Sequence, residues 1–598
     1  MRGDRNWLRH APVQQLRDTN ISMLILFTNY LRTMVSLNPF SRYKKYLSFT
    51  LALFFGFSCA ESTKKTVYYN ANGYTIESDT LRSFSTLVVD GERVFAVGGE
   101  ELAEEFQATP SVTAIDLEGK TLLPGIIDAH GHVMGLGFQE LQINLAGMTS
   151  LQGTLQALKE YAEANPELEW IIGRGWNQTL WEENRFPTAA DLDQVIPDKP
   201  VWLSRVDGHA GWANSKAMQL AQVSSDTPDP DGGKIIRDTR GRPTGVFIDA
   251  AEGYVQRVVP ESTREEQALA LDAALSLLSS YGVTSVHDAG VGVETWELYK
   301  QFAEQGKLRT RIYGMISGAG AVFDQLSNEG PINSLYDDRL ALRSVKLYSD
   351  GALGSRGAAL IEDYHDDPGN KGLLFVGQEE MNAMAEKVVA KGYQANIHAI
   401  GDAANRQVID ALGYAQELHS REDQRNRIEH AQIVALEDIG RFKELDLIAS
   451  MQPTHATSDK NMAEDRVGSQ RIKGAYAWQS FLAQGTIVAS GSDFPVESAN
   501  PFLGIYASIT RKDIQGNPLN GWYPEEAMDR VQTLKSFTID AAYAGFQEGV
   551  LGSLEPGKWA DFIIVDQDIV TAPDSMLWQT KVLETWVAGK KVFDRSTE

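Results

Sequence analysis

From residue 124 onward, short apolar runs alternate with amphipathic stretches. The runs read GIIDAHGH (125–132), VTSVHDAG (283–290), RTRIYGMIS (309–317), RSVKLYSDG (343–351), YQANIHAIGD (393–402), RNRIEHAQ (425–432), LIASMQPTH (447–455) and TIVASGSDFPV (486–496). Between most of them lie segments such as EEMNAMAEKVVAKG (379–392) and ANRQVIDALGYAQELHS (404–420), whose apolar positions recur at helical spacing. Eight strands alternating with helices predict an α/β fold, a (β/α)8 barrel with its helices outside. Polar residues gather at the C-terminal ends of the runs, where such barrels carry their chemistry.

Two features depart from that rhythm. About 150 residues separate His132 from Val283, far more than one strand–helix unit needs. They include LEWIIGRGWNQTLW, PVWLSRVDGHAGWANSKAM and the turn-rich TPDPDGGKIIRDTRGRPTGVFID, which predict an inserted subdomain over about 150–265 after strand one, near the barrel mouth. Both ends of the chain also read as short strands with Gly and Pro turns. TVYYNANGYTI and STLVVDGERVFAVGG lie near the start, GSLEPGKWADFIIVD and VLETWVAGKKVF near the end. Residues 66–123 and 546–598 are expected to pair into one small β domain beside a barrel over 124–545.

Composition narrows the function classes. The 598 residues are 43% hydrophobic with a formal charge of −25, which supports a large globular core and argues against nucleic acid as a partner. The charge is uneven. Residues 1–58 hold eight Lys and Arg against two Asp, a net of +6. Within residues 1–59, SRYKKYLSFTLALFFGFSCAES has a basic start, an apolar run too short to span a bilayer, and Cys59, the only cysteine. A lone cysteine there resembles a bacterial lipoprotein signal, although Phe57 stands where a smaller residue is usual. The expectation is an exported protein, lipid-anchored through Cys59 in the periplasm or at the cell surface of a bacterium. The membrane is a partner only through that anchor.

The candidate chemistry lies at the strand ends. His130 and His132 stand two apart on strand one, so both imidazoles share a face. His398 ends strand five, His430 ends strand six and Asp493 ends strand eight. Four imidazoles and a carboxylate converging on one rim are a ligand set for zinc or a similar divalent ion. Lys346 lies within strand four, where an isolated ammonium is costly to bury and metal cations would repel it. Reaction of its amine with carbon dioxide would give an anionic carbamate able to bridge two metals. A lysine that pairs with Asp350 or Asp493, or that snorkels outward, is the alternative.

Taken together, the strand-one HxH, VKLYSDGALGSR, NIHAIGD, RIEHAQ, SGSDFPV and GSLEPGKWADFIIVD resemble the metal-dependent amidohydrolase superfamily. Within it they are similar to the amidohydrolase-3 branch that includes N-substituted formamide deformylase. The resemblance covers nearly everything after Cys59. It implies a distorted (β/α)8 TIM barrel, a small β-sandwich built from both termini, one or two divalent ions, and a homodimer as one option. It implies ligand roles for His130, His132, Lys346, His398, His430 and Asp493, with carboxylated Lys346 between the two ions. It also implies hydrolysis of a C–N bond in a small-molecule amide, formamide or cyclic amide. A hydroxide formed at the metal attacks the carbonyl, and Asp493 moves the proton to the leaving nitrogen.

Further candidates shape recognition. His209 is expected to donate a hydrogen bond to the developing oxyanion, and Asp207 is a candidate substrate-binding residue, with Asn214 nearby in sequence. Arg356 is a candidate for binding an acidic or polar substrate group. Trp176 and Trp181 are candidates for the pocket wall, with packing as the alternative. His287 is a candidate to support the ligands from behind. His365, His419 and His455 read as loop or surface residues. Ring deamination, hydrolysis of an ester, lactone or carbamate, and a non-catalytic binding lipoprotein are the competing readings.

Overall fold

A computed structural model describes residues 64–183 and 185–597. The expected leader, including Cys59, lies outside the described residues. Among the described residues, no helix is long and apolar enough to cross a membrane.

Eight strands form one parallel sheet in chain order: β1 (Ile126–Gly131), β2 (Val283–Val291), β3 (Arg311–Ser317), β4 (Leu340–Tyr348), β5 (Gln394–Ala399), β6 (Arg427–His430), β7 (Ile448–Met451) and β8 (Val488–Ser490). The sheet curls until its two edges meet just past the last strand. Asp493 N donates to His130 O at 2.7 Å, and His132 N to Phe494 O at 2.7 Å. This is the barrel that the alternation of apolar runs and helices predicts, with the distortion that the resemblance implies.

Strand alternation divides the barrel into two environments. Val345 and Leu347 of β4, Ala395 and Ile397 of β5 and Ile428 of β6 face outward into one large apolar core. The helices Gln378–Ala390 and Asp402–Leu418 cover that core with Met381, Val388, Val408 and Leu412. Each fully buried side chain of this size contributes about 1.5–3 kcal/mol. The alternate residues Lys346, Asn396, His398, Arg427 and Glu429 are buried as well, but lie on the polar interior face.

Strands from both chain ends build two further sheets. Phe562–Val565 pairs antiparallel with Thr121–Pro124, which joins the C-terminal strands to the N-terminal ones. A four-stranded sheet made of 65–69, 86–90, 93–98 and 113–116 packs over it. Tyr68, Leu87, Leu122 and Phe562 fill the space between.

The insert between β1 and β2 has its own six-stranded sheet, from Ile143–Asn144 to Pro243–Asp249, and its own core. Trp176, Trp181 and Trp212 meet there with ring centroids 6.0–6.4 Å apart. The insert also touches the loop after β4. A side chain at Gly351 would place its Cβ 2.9 Å from both carboxylate oxygens of Asp249, so that glycine admits the insert.

Candidate active site

The ends of β1 and β4–β8 enclose a cavity of about 1370 Å³ that the insert roofs. His132, Lys346, His398, His430, His455 and Asp493 line it from the barrel, and Asp207 and His209 line it from the insert. His130 lies fully buried among them.

His130 organises the floor. Its Nδ1 is hydrogen-bonded to Glu429, which leaves Nε2 facing Lys346 Nζ at 3.0 Å and Asp493 Oδ1 at 3.5 Å. His132 Nε2 lies 3.1 Å from the same Asp493 oxygen. His430 bonds Gln452 Oε1 through Nδ1 at 2.7 Å, which frees its Nε2. The His430 ring stands 4.5 Å from His398 and 4.9 Å from His130. Donor atoms of His130, His430 and Asp493 all fall within 4.8 Å of one another. His430 and Asp493 both adopt left-handed backbone conformations, with φ of 74° and 61°. Such conformations are uncommon outside glycine and recur at active sites. At His430 the turn brings a side chain inward immediately after Glu429, which regular alternation would forbid.

The electrostatics follow from burial and proximity. Burial, then Lys346, pushes the His130 imidazole down to about 4, and burial pushes His398 and His430 well below the usual histidine value. Neutral imidazoles are the form that binds metal. Burial alone would raise the Asp493 carboxyl, but His132 and the surrounding imidazoles hold it well below its ordinary value. Burial lowers Lys346 to about 8, and among the described residues no carboxylate lies within hydrogen-bonding distance of its amine.

The donor set fits a divalent ion on its own chemistry. His398 Nε2 and His455 Nε2 are buried without a hydrogen bond, each with only a carboxylate oxygen nearby, Asp350 Oδ1 at 3.5 Å and Asp493 Oδ2 at 3.7 Å, and both side chains line the cavity. Buried polar atoms are normally satisfied, and imidazole nitrogen with carboxylate oxygen is a zinc-type set. Further residues support the donors from behind. Arg427 sits 2.8 Å from Glu429 and donates to Ala129 O, Ser450 Oγ and His287 Nδ1. Asp128 accepts from His130 N, Ser492 N and Ser492 Oγ, tying β1 to the loop that carries Asp493. Asp350 accepts from the backbone N–H groups of Ala359, Ile400 and Gly401, and so does not pair with Lys346.

His209 reaches the cavity from the insert. Its Nδ1 lies 2.8 Å from Asp249 Oδ1 and its ring is 5.3 Å from His398. Burial lowers its pKa, but the bond to Asp249 and the nearby carboxylates outweigh it and leave the imidazole raised. Asp207 is ion-paired with Arg205. Asn214 lies away from the cavity, capping a helix and bonding Val201 N, Ile196 O and Lys199 O.

Several candidates sit elsewhere than the sequence suggests. Trp176 is fully buried in the insert core, donating to Leu203 O at 2.9 Å, and is not on the cavity wall. Trp181 packs beside it. Arg356 turns away to Asp366 at 3.0 Å and borders a separate, smaller cavity with His365 and Arg466. His287 lies below the cluster against Arg427 and Tyr313. His455, expected in a loop or on the surface, is buried, stacks on His430 and approaches Asp493 Oδ2 at 3.7 Å. Glu429, Arg427, Gln452 and Asp249 were not singled out in the sequence. The charged pair within the buried run RNRIEHAQ was the signal available for the first two.

Comparison with known proteins agrees with this architecture. The amidohydrolase family model matches residues 113–593. LONG AFTER FAR-RED 3 of Arabidopsis thaliana is 34% identical over 536 residues, spanning 87% of this chain and 91% of that one. The N-substituted formamide deformylase of Arthrobacter pascens is 28% identical over 543 residues, spanning 88% and 98%. Among solved structures, an uncharacterized metal-dependent hydrolase from Pyrococcus horikoshii matches with a TM-score of 0.69 at 28% identity, covering 85% of this chain and 99% of its own. The chain belongs to the amidohydrolase family.

Proposed function

We propose that this protein is a metal-dependent hydrolase that cleaves a C–N bond other than a peptide bond, in an amide, formamide or cyclic amide. The observation that carries the reading is the convergence of His130, His132, His398, His430 and Asp493 on one cavity, with buried donor atoms left without a hydrogen bond. His130, His132 and Asp493 would hold one divalent ion and His398 and His430 a second, zinc being the best match to the donors. Lys346, as its carbamate, would bridge them. An amine buried without a carboxylate partner suits that modification, because the carbamate exchanges an isolated cation for an anion between cations.

A divalent ion in that position polarises a carbonyl and lowers the pKa of water to about 7. The remaining steps belong to side chains. Asp493, ionised by its imidazole neighbours, accepts a proton from the attacking water and returns it to the leaving nitrogen. His209, held through Nδ1 by Asp249, presents Nε2 to the developing oxyanion. The insert lines the cavity opposite the barrel ends through Arg174, Asp207 and His209.

The test is turnover of a panel of N-formyl and N-acyl amines by the purified protein, with metal content measured in parallel. Hydrolysis that disappears with the metal supports the reading. A metal-loaded protein that binds such compounds and never consumes them contradicts it. The residues 1–59 further suggest export and a lipid anchor at Cys59, testable by mass of the mature N-terminus.

A further inference from the structure

One cation in the cavity has no part in that chemistry. Arg174 lies on the insert strand Ile171–Trp176 and lines the cavity. Its Nη2 donates to Val206 O at 2.8 Å, while its Nε is buried with no acceptor. Among the described residues no carboxylate pairs with it, and Asp493 and Asp207 act on it only through space. The other cavity cations have partners: Arg205 is paired with Asp207, Lys460 with Asp513 at 2.9 Å, and Lys346 faces His130.

The strand is built to aim this side chain. In a regular strand, residues 174 and 176 share a face. Here the pairing register shifts between Arg174 and Trp176, at Gly175 with φ of 101°. A Cβ at Gly175 would fall 2.5 Å from Ala146 N, so the bulge requires glycine. The bulge sends Trp176 into the insert core and leaves Arg174 on the cavity wall. Bulges beside active sites serve to re-aim a side chain in this way.

The carboxylates that line the cavity have other partners: Asp493 has His132, Asp459 has Tyr476, Glu497 has Ser458 and Glu252 has Gln256. Asp207 and Asp513 are ion-paired and Asp249 holds His209, while Glu140 and Asp231 are exposed at the rim.

We propose that Arg174 receives a carboxylate of the substrate, which makes the substrate class amides that bear a free acid, such as N-formyl or N-acyl amino acids. This rests on the amide-hydrolase reading of the same cavity. A guanidinium offers a planar fork of donors that matches a carboxylate, and buried donors left unpaired disfavour a neutral analogue.

The experiment compares N-formylphenylalanine with N-formylphenethylamine, which lacks the carboxylate. Calorimetric binding and kcat/KM are measured for both on the full-length parent, Arg174→Met and Arg174→Lys, with melting temperature as the folding control. The parent is expected to favour the acid by at least about 10-fold. Arg174→Met should collapse that ratio and Arg174→Lys should keep part of it. A ratio near one in the parent, no binding of the acid at millimolar concentration, or a ratio that survives Arg174→Met overturns the proposal. A binding ratio that follows Arg174 with neither amide hydrolysed would keep the anion site and count against the hydrolase reading. Turnover of the neutral amide alone would do the reverse.

Discussion

The carboxylate of Glu429 grips Nδ1 of His130 and so turns the opposite nitrogen of that ring toward Lys346 and Asp493. Both residues are fully buried, and Arg427 supplies the countercharge. Carboxylates behind ligating histidines fix ring orientation, and their loss typically costs 10–100-fold in metal affinity. Glu429→Gln should therefore weaken metal binding by about that factor, read by competition with a chelator. It also strands Arg427 without its countercharge, so the melting temperature should fall, in line with about 3–5 kcal/mol for a broken buried pair. Unchanged metal affinity would remove Glu429 from the site's support.

His209 and Asp249 act as a unit, since the carboxylate lies 2.8 Å from Nδ1. His209→Gln should lower kcat by about 10²–10³-fold with metal content retained, the usual scale for losing one oxyanion donor. Asp249→Asn should cost less and act on the same parameter. Loss of metal in either variant would instead make His209 part of the ligand cluster.

Metal removal should affect stability as well as rate. An ion that binds only the folded chain adds about 2.7 kcal/mol at a hundred times its Kd. Dialysis against a chelator should lower the melting temperature, and stepwise return of zinc should raise melting temperature and turnover together. Turnover that persists in the chelated protein would contradict a metal role.

Trp176 supplies a contrast. Its indole is enclosed by Trp181, Phe186 and Trp212, and its N–H is spent on Leu203 O. Trp176→Ala should destabilise by about 3–5 kcal/mol through the cavity it leaves, seen in denaturant unfolding. A change in KM at unaltered stability would return Trp176 to the pocket wall.

The barrel and its ligand positions were legible because they rest on simple periodicities. Runs of strand length mark β1–β8, and a polar residue at a strand's C-terminal end must face the mouth. His130 and His398 follow from that alone, whereas Asp493 sits in the turn past Ser490 with a left-handed backbone. What stayed hidden depends on local breaks in the period. A regular strand would put Arg174 and Trp176 on one face, and the bulge at Gly175 separates them, so alternation alone does not tell which of the two reaches the cavity. Pro453 starts a helix directly after β7, and that helix carries His455 back over the cluster instead of out to solvent. Arg356, in a left-handed turn, is drawn away by Asp366, 10 residues further along the chain. Contacts set by such turns leave no periodic trace in a sequence.

The most direct test is divalent metal per chain, by elemental analysis, in the purified parent and in Lys346→Ala. About two ions are expected in the parent, with the loss of one or both in the variant, because the proposed carbamate of Lys346 would serve both ions. Equal metal in both proteins would contradict the bridging role, and a catalytically active parent without stoichiometric metal would contradict the mechanism itself.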